Sequence, residues 1–369
     1  MAAKDTYAGS GVDYGKIDPF KKEAQKAARK TSDNIKRFPG FSEVKKSRGE
    51  SAYLIKTPTC YLAHVEEGLG TKNLVADEMA LLTAQQYFNN MAQDTVAMIV
   101  NDMITLGALP LSVAMHLAVG ESGWFDNAAR RKSLIAGWLN ACNLARCNWG
   151  GGETPTLKDI VIPGTFVLSG SAIGIITDKR NLISANKIRH DDAIIMIGSS
   201  GIHANGLTLA RAIAKKLPDG YLTKMDDGRS YGETLLDPTY IYVALIEECQ
   251  KQGVDIHYAV NITGHGWRKL MRATKPFQYV IEKLPQQPQI FDVIQKYGNI
   301  EDREMFGNFN MGAGFALYVP YSNVHKTLRI ARESGYNAIY CGYVHQSNTK
   351  KVIISPKNIE FLGNTLAVR

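Results

Sequence analysis

The run DTVAMIVNDMITLGALP, Asp94 to Pro110, sets the tightest condition on this chain. Val96, Ala97, Met98, Ile99, Val100, Met103, Ile104 and Leu106 leave no continuous polar face, so the spacing predicts a helix buried on all sides. Asp94 is placed to cap it, and Gly107 and Pro110 to end it. Yet Asn101 and Asp102 fall in its middle. A carboxylate among apolar neighbours must meet a cation, a metal or several donors, or else go neutral. From the helix alone, satisfaction by the protein's own groups and ligation of a metal stand equally open.

A length of 369 residues is more than one core comfortably fills and predicts two domains. The polar stretch Asp178 to Asn186, followed by a fresh pattern, divides them into 1–178 and 179–369. The five cysteines are scattered without a C-x-x-C pair, which argues against a zinc site or a disulfide framework. No apolar run is long enough to span a membrane, and Met1 to Lys30 is polar and charged rather than a signal peptide. A cytoplasmic enzyme with reduced thiols and no membrane partner is expected. The net charge of +8 suits phosphorylated small molecules as well as simple solubility. No RNA-recognition, helix-turn-helix or finger signature accompanies it, so no nucleic-acid partner is expected.

Along the chain, Tyr7 to Asp13 (YAGSGVD) reads as a flexible lead and Phe20 to Ile35 as a basic amphipathic helix. A strand from Tyr61 to Val65 runs into Glu67-Gly68-Leu69-Gly70-Thr71-Lys72, where glycines allow close backbone approach. Thr71 and Lys72 suit phosphate oxygens and Glu67 suits a metal, although the Walker A spacing is absent. Ala76 to Ala92 reads as helix, Leu111 to Val119 as a buried strand, and Asp126 as the cap of a helix reaching Ala145. Gly150 to Pro155 (GGGETP) reads as a nucleotide loop or a plain hairpin. Phe166 to Ile176 reads as a strand whose Gly170 and Gly174 admit a close neighbour. Asp192 to Gly198, the turn SSGIHANG and a helix over Leu207 to Lys216 form an arrangement that aims free amides at an anion. Asp237-Pro238 reads as the start of a helix running to Gln252. VNITGHGW reads as a second strand and Gly turn. EMFGNFNMGAG feeds a strand over Phe315 to Val319, and a helix near Val324 to Glu333 and two short strands finish the chain.

In this order the stretches YAGSGVD, EGLGTK, VAMIVNDMITLGALP, GGET, SSGIHANGLTLAR, LLDPTYIYV, NITGHG and EMFGNFNMGAG resemble the aminoimidazole ribonucleotide synthetase family, the phosphoribosylformylglycinamidine cyclo-ligases of purine synthesis. The resemblance implies an α+β fold of two α/β domains of the PurM type. It further implies a homodimer in which the N-terminal domains pair into a closed β-barrel, which removes open strand edges. The implied cofactors are ATP and Mg²⁺, and the implied reaction cyclises formylglycinamidine ribonucleotide to aminoimidazole ribonucleotide, releasing ADP and phosphate. Asp102 and Glu67 would hold the metal, and Lys72 would neutralise ATP phosphate. Gly68, Gly70, Thr71, Asn101, Gly151, Gly152, Glu153 and Thr154 would line the nucleotide. His203 and Asn205, with Asn261, Thr263 and His265, would meet the substrate. Asp102, His203 and Lys72 form the implied catalytic set.

The chain departs from the family at several of these points. Glu67 stands for Asp, Asn261 for His, and Thr263-Gly264-His265-Gly266 for T-G-G-G. Gly307-Asn308-Phe309-Asn310 stands for R-T-F-N, and SEVKKSRGES replaces a Gly-rich segment. Two other readings therefore stand beside the first: the same ATP-dependent machinery on another acceptor, and a non-catalytic relative.

Overall fold

The structure, a computed structural model, describes residues 13–366. Six strands form the first sheet: β1 (Ser42–Glu43), β2 (Tyr53–Lys56), β3 (Tyr61–Gly68), β4 (Leu109–Val119), β5 (Asn148–Glu153) and β6 (Phe166–Ile176). Their order is β1-β2-β3-β6-β4-β5, antiparallel except for the parallel pair β4 and β5. Helices α1 (Tyr14–Ala28), α2 (Lys72–Thr83), α3 (Phe88–Ile104) and α4 (Ala128–Leu144) belong to this half. Tyr7 to Val12 of the expected lead lie outside the described residues; Asp13 caps α1, its side chain accepting from Gly15 N at 2.9 Å.

The second sheet holds β7 (Ala193–Gly198), β8 (Tyr258–Asn261), β9 (Phe277–Ile281), β10 (Ala313–Val319), β11 (Ala338–Gln346), β12 (Lys351–Ile354) and β13 (Ile359–Leu362). Its order is β13-β12-β9-β11-β7-β10-β8. Around it lie α5 (Leu207–Ala214), α6 (Tyr231–Leu235), α7 (Val243–Lys251), α8 (Gln289–Gly298), α9 (Asp302–Asn308) and α10 (Val324–Glu333).

Helix α3 packs on β3, β4 and β6 of the first sheet and also touches β8 and α7 of the second half. Val96, Ile99, Val100, Met103 and Ile104 are all fully buried. Each contributes about 1.5–3 kcal/mol by leaving water. The fit requires glycine beneath them: a Cβ on Gly174 would lie 2.2 Å from Met103 Sδ, and one on Gly170 would lie 2.3 Å from Ala114 O.

Several expected boundaries shift. The helix expected over Phe20 to Ile35 is α1, Tyr14–Ala28, followed by a 3₁₀ stretch over Arg29–Arg37. Ala76 to Ala92 is not one helix, because Ala84 takes φ 56° and ends α2, and α3 then begins at Phe88. Asp94 therefore lies inside α3 rather than at its cap. The helix after Asp237-Pro238 starts only at Val243, since residues 236–242 run as an irregular segment against α3. There the polar side chains of α3 use it: Asn90 Nδ2 donates to Leu236 O (2.8 Å) and Gln93 Nε2 to Thr239 O (3.0 Å). Asn127, not Asp126, caps α4, accepting from Arg130 N at 3.0 Å. Strands β2, β9 and β11 give no clear alternation in the sequence, whereas α8, not singled out there, has helical spacing, its buried residues being Ile290, Phe291, Ile294 and Gly298. All five cysteines are unbridged.

Candidate active site

A cavity of about 330 Å³ opens where α1, the end of β3, α3 and the turn after β8 meet. Asp102 reaches it from α3 and is 7% exposed. Asn261, the last residue of β8, donates Nδ2 to Asp102 Oδ1 at 2.7 Å. Glu67, next to last in β3, lines the same wall. Burial, then the nearby charge of Asp102, pushes the Glu67 carboxyl up to about 7. Two carboxylates crowded in this way relax when a cation joins them.

Asn205, Thr263 and His265 also line the cavity. Asn205 Nδ2 lies 3.7 Å from Met98 Sδ. The Thr263 hydroxyl accepts from Lys269 Nζ, which also donates to Asn261 O at 3.2 Å. Lys269 was not singled out in the sequence. Burial draws its pKa down to about 8, against the pull of Asp102. Arg272 is the second cation missed there. It is clamped to the opposite half, donating to Gly49 O at 2.9 Å and to Ser51 Oγ at 3.0 Å. The signal was present as two cations three apart, directly after the NITGHG turn. Gly49, Glu50 and Ser51, in the stretch that stands where the family has a Gly-rich segment, also line the cavity.

Other expected residues sit elsewhere. Lys72 is fully buried, its Nζ 2.8 Å from Asp94 Oδ2 and donating to Asp237 O at 2.7 Å. Asp94 Oδ1 in turn accepts from Thr239 N at 2.8 Å and from the Thr239 hydroxyl. In this arrangement the Lys72 charge is spent inside the protein, so the expectation that it meets nucleotide phosphate does not fit its placement. Asn101 is consumed as well, donating to Tyr240 O (2.7 Å) and accepting from Tyr242 N (2.9 Å). It fastens the 236–242 segment to α3 and does not line the cavity.

His203 is 3% exposed, behind Tyr240 and Tyr242, and its Nε2 accepts from Ser200 N at 3.2 Å. Burial, aided by the charge of Lys72, lowers its pKa to about 3. The ring stays neutral near pH 7 and lies outside the lining of this cavity. Gly151, Gly152, Glu153 and Thr154 are exposed along and just beyond the edge strand β5, away from the cavity lining. Gly152 is required by the sheet itself, since a Cβ there would lie 2.1 Å from Met115 O. Gly68 and Gly70 carry the turn from β3 into α2, Gly70 at φ 74° with open space around it. Thr71 Oγ1 meets Thr208 Oγ1 across the two halves at 3.3 Å.

Among the described residues no group of three or more His, Cys, Asp or Glu is arranged to hold a metal. A pair of carboxylates matches Mg²⁺, which is commonly held by one or two carboxylates together with the phosphates of its ligand. The crowded Glu67 and Asp102 fit that donor set.

Two family models match the chain: AIR synthase related protein, N-terminal domain, over residues 49–176, and AIR synthase related protein, C-terminal domain, over residues 189–355. A phosphoribosylformylglycinamidine cyclo-ligase of Methanococcus maripaludis is 34% identical over 345 residues, covering 93% of each chain. One of Thermococcus gammatolerans is 37% identical over 325 residues, covering 88% of this chain and 91% of the relative. Among solved structures, a HypE-HypF complex matches with a TM-score of 0.62 at 17% identity, over 86% of this chain and 94% of that one. Hydrogenase maturation protein HypE in complex with ATP matches with a TM-score of 0.56 at 15% identity, over 76% of this chain and 81% of that one. At such identities the structural likeness speaks for the fold alone.

Proposed function

This chain belongs to the AIR synthase related family, and on that premise we propose that it is an ATP-dependent phosphoribosylformylglycinamidine cyclo-ligase. The observation that carries the reading is the relation to enzymes of that name across nearly the whole chain, joined to a cavity where Glu67 and Asp102 crowd together. The relatives named for other acceptors share only the fold, so a different substrate class has no observation in its favour.

The reaction transfers the terminal phosphoryl group of ATP to the formamide oxygen of the substrate, releasing ADP. The substrate nitrogen then attacks the activated carbon, the ring closes, and phosphate leaves with the former formamide oxygen. Phosphoryl transfer asks for positioning and charge neutralisation rather than covalent catalysis. Asp102 and Glu67 would hold Mg²⁺, which when bound supplies the charge that the phosphates need neutralised. Asn261 orients Asp102. Asn205 and Thr263 offer polar groups to the substrate from the same wall. Burial draws the pKa of Lys269 down to about 8, so Lys269 Nζ, on the cavity wall, is placed to take the proton released as the ring closes.

A homodimer joined through the first sheets accounts for that sheet's outward face. Val167 and Ile173, exposed where their β6 neighbours are buried, stand on it at 51% and 53% exposure. Closing two such sheets on each other buries these side chains and pairs the edges. Among the described residues no helix is long and apolar enough to cross a membrane, and a cytoplasmic place suits an enzyme of phosphorylated metabolites.

Incubation with ATP, Mg²⁺ and formylglycinamidine ribonucleotide should yield ADP, phosphate and aminoimidazole ribonucleotide in equal amounts. Folded protein that forms no aminoimidazole product under these conditions would reject the assignment.

A further inference from the structure

Helix α1 rests on the body through few side chains. Among those described, only Asp18 is buried, Gln25 and Ala28 are half-buried, and Ile17 and Phe20 face solvent with the rest. Asp18 aims its carboxylate at His265, Oδ2 to Nε2 3.5 Å, with the two side chains 8% and 7% exposed. This is wider than a well-formed hydrogen bond. Asp18 Oδ1 has no hydrogen-bond partner among the described residues. A buried carboxylate in that state is unfavourable and improves on closer approach to a donor.

His265 itself adopts φ 69°, a left-handed backbone, at the place where the family pattern has glycine. A side chain held in that region is retained where its surroundings demand it. The strained residue and the under-satisfied carboxylate thus meet at a single contact, which ties α1 to the turn lining the cavity. One turn further along α1, Lys21 and Gln25 stand on the cavity wall. The Lys21 charge is felt by both Glu67 and Lys269. Lys21 forms no ion pair among the described residues, so its ammonium remains available to a ligand.

We propose that α1 is a strap over the site, that Lys21 binds a phosphate group of the ligand in the cavity, and that the Asp18–His265 contact is the latch positioning it. This rests on the reading that the cavity takes phosphorylated compounds. The phosphate belongs either to ATP or to the ribonucleotide, and the test separates the two.

Limited trypsin digestion of the full chain reads the strap directly, because Lys16, Lys21, Lys22 and Lys26 all lie in α1. The digestion is run without ligand, with ATP and Mg²⁺, with formylglycinamidine ribonucleotide, and with inorganic tripolyphosphate. The expected result is slower cleavage within α1 in the presence of the ligand that Lys21 contacts. Protection by ATP and tripolyphosphate assigns the nucleotide; protection by the ribonucleotide alone assigns the substrate. Lys21→Gln should raise KM for that one ligand about tenfold, the loss of one charge-assisted contact, with little change in kcat. His265→Gly and Asp18→Ala should each speed cleavage of α1 in the absence of ligand, and either variant suffices if the other does not fold. Cleavage in α1 indifferent to all three ligands, or a Lys21→Gln protein with unchanged KM for both reactants, overturns the strap. Protection of α1 without turnover would instead leave the strap standing and remove the assigned reaction.

Discussion

The side-chain amide of Asn261 donates to the carboxylate of Asp102, Nδ2 to Oδ1 2.7 Å, from the end of β8 in one half to the middle of α3 in the other. The bond fixes which oxygen of Asp102 faces the cavity. Asn261→Ala should therefore lower turnover on the order of 10–100-fold, the usual effect of losing a group that orients a ligating carboxylate. Asn261→His, the family residue, should retain most of it. Asp102→Asn should abolish turnover while the circular dichroism spectrum and the sedimentation behaviour stay unchanged. Phosphate release measured across a Mg²⁺ titration checks all three; full activity in Asp102→Asn would remove this carboxylate from the site.

The pair Lys72–Asp94 holds no exposed atom. Breaking such a pair from one side leaves a buried charge alone and costs about 3–5 kcal/mol. Lys72→Met should destabilise the fold by that order, and Lys72→Met with Asp94→Leu should recover much of it. Denaturant midpoints of the single and double variants provide the comparison. A double variant that refolds but is inactive would return Lys72 to the catalytic set.

Burial raises the Asp77 carboxyl to about 6, partly offset by the nearby Arg130 charge. Its Oδ2 has no hydrogen-bond partner among the described residues. The native state thus holds this proton more tightly than the unfolded chain does. The Asp77 contribution is fully present below pH 4 and is lost as pH rises through about 6. Asp77→Asn should leave stability unchanged in acid and increase it by about 1–2 kcal/mol above pH 7, after allowance for solvent screening. Urea unfolding of both proteins from pH 4 to pH 8 measures the difference; a gap that widens towards acid would contradict it.

Ile173 is 53% exposed on the outward face of β6. Placing a charge there should leave the first half folded but disfavour pairing of two sheets across that face. Ile173→Lys is expected to sediment as a monomer at concentrations where the proposed dimer of the parent protein would form. A variant that stays dimeric would locate the interface elsewhere.

The polar residues of α3 show how far pattern reading reaches. Its periodicity announced a buried helix, and α3 is one. It could not tell Asn101 from Asp102, neighbours of the same polarity. One turns to the backbone of residues 240 and 242, the other to Asn261 and the cavity. Direction around the helix separates them, and it depends on which segment packs on each side. The same holds for His203, whose place on a candidate anion turn suggested chemistry but whose ring is enclosed by two tyrosines contributed from elsewhere in the chain.

By itself the sequence determined the order of the long strands and the buried helix, the glycines of β6 that admit a close neighbour, and the kinship that names the reaction. These follow from local periodicity, turn chemistry and motif order, all of which lie within a few neighbouring residues. Only the tertiary structure decided that Lys72 faces Asp94, that Lys269 and Arg272 join the site, and that Lys21 and Gln25 of α1 line it. Each of those pairings joins residues more than 20 positions apart, and no local signal specifies which partner the packed chain will bring within reach.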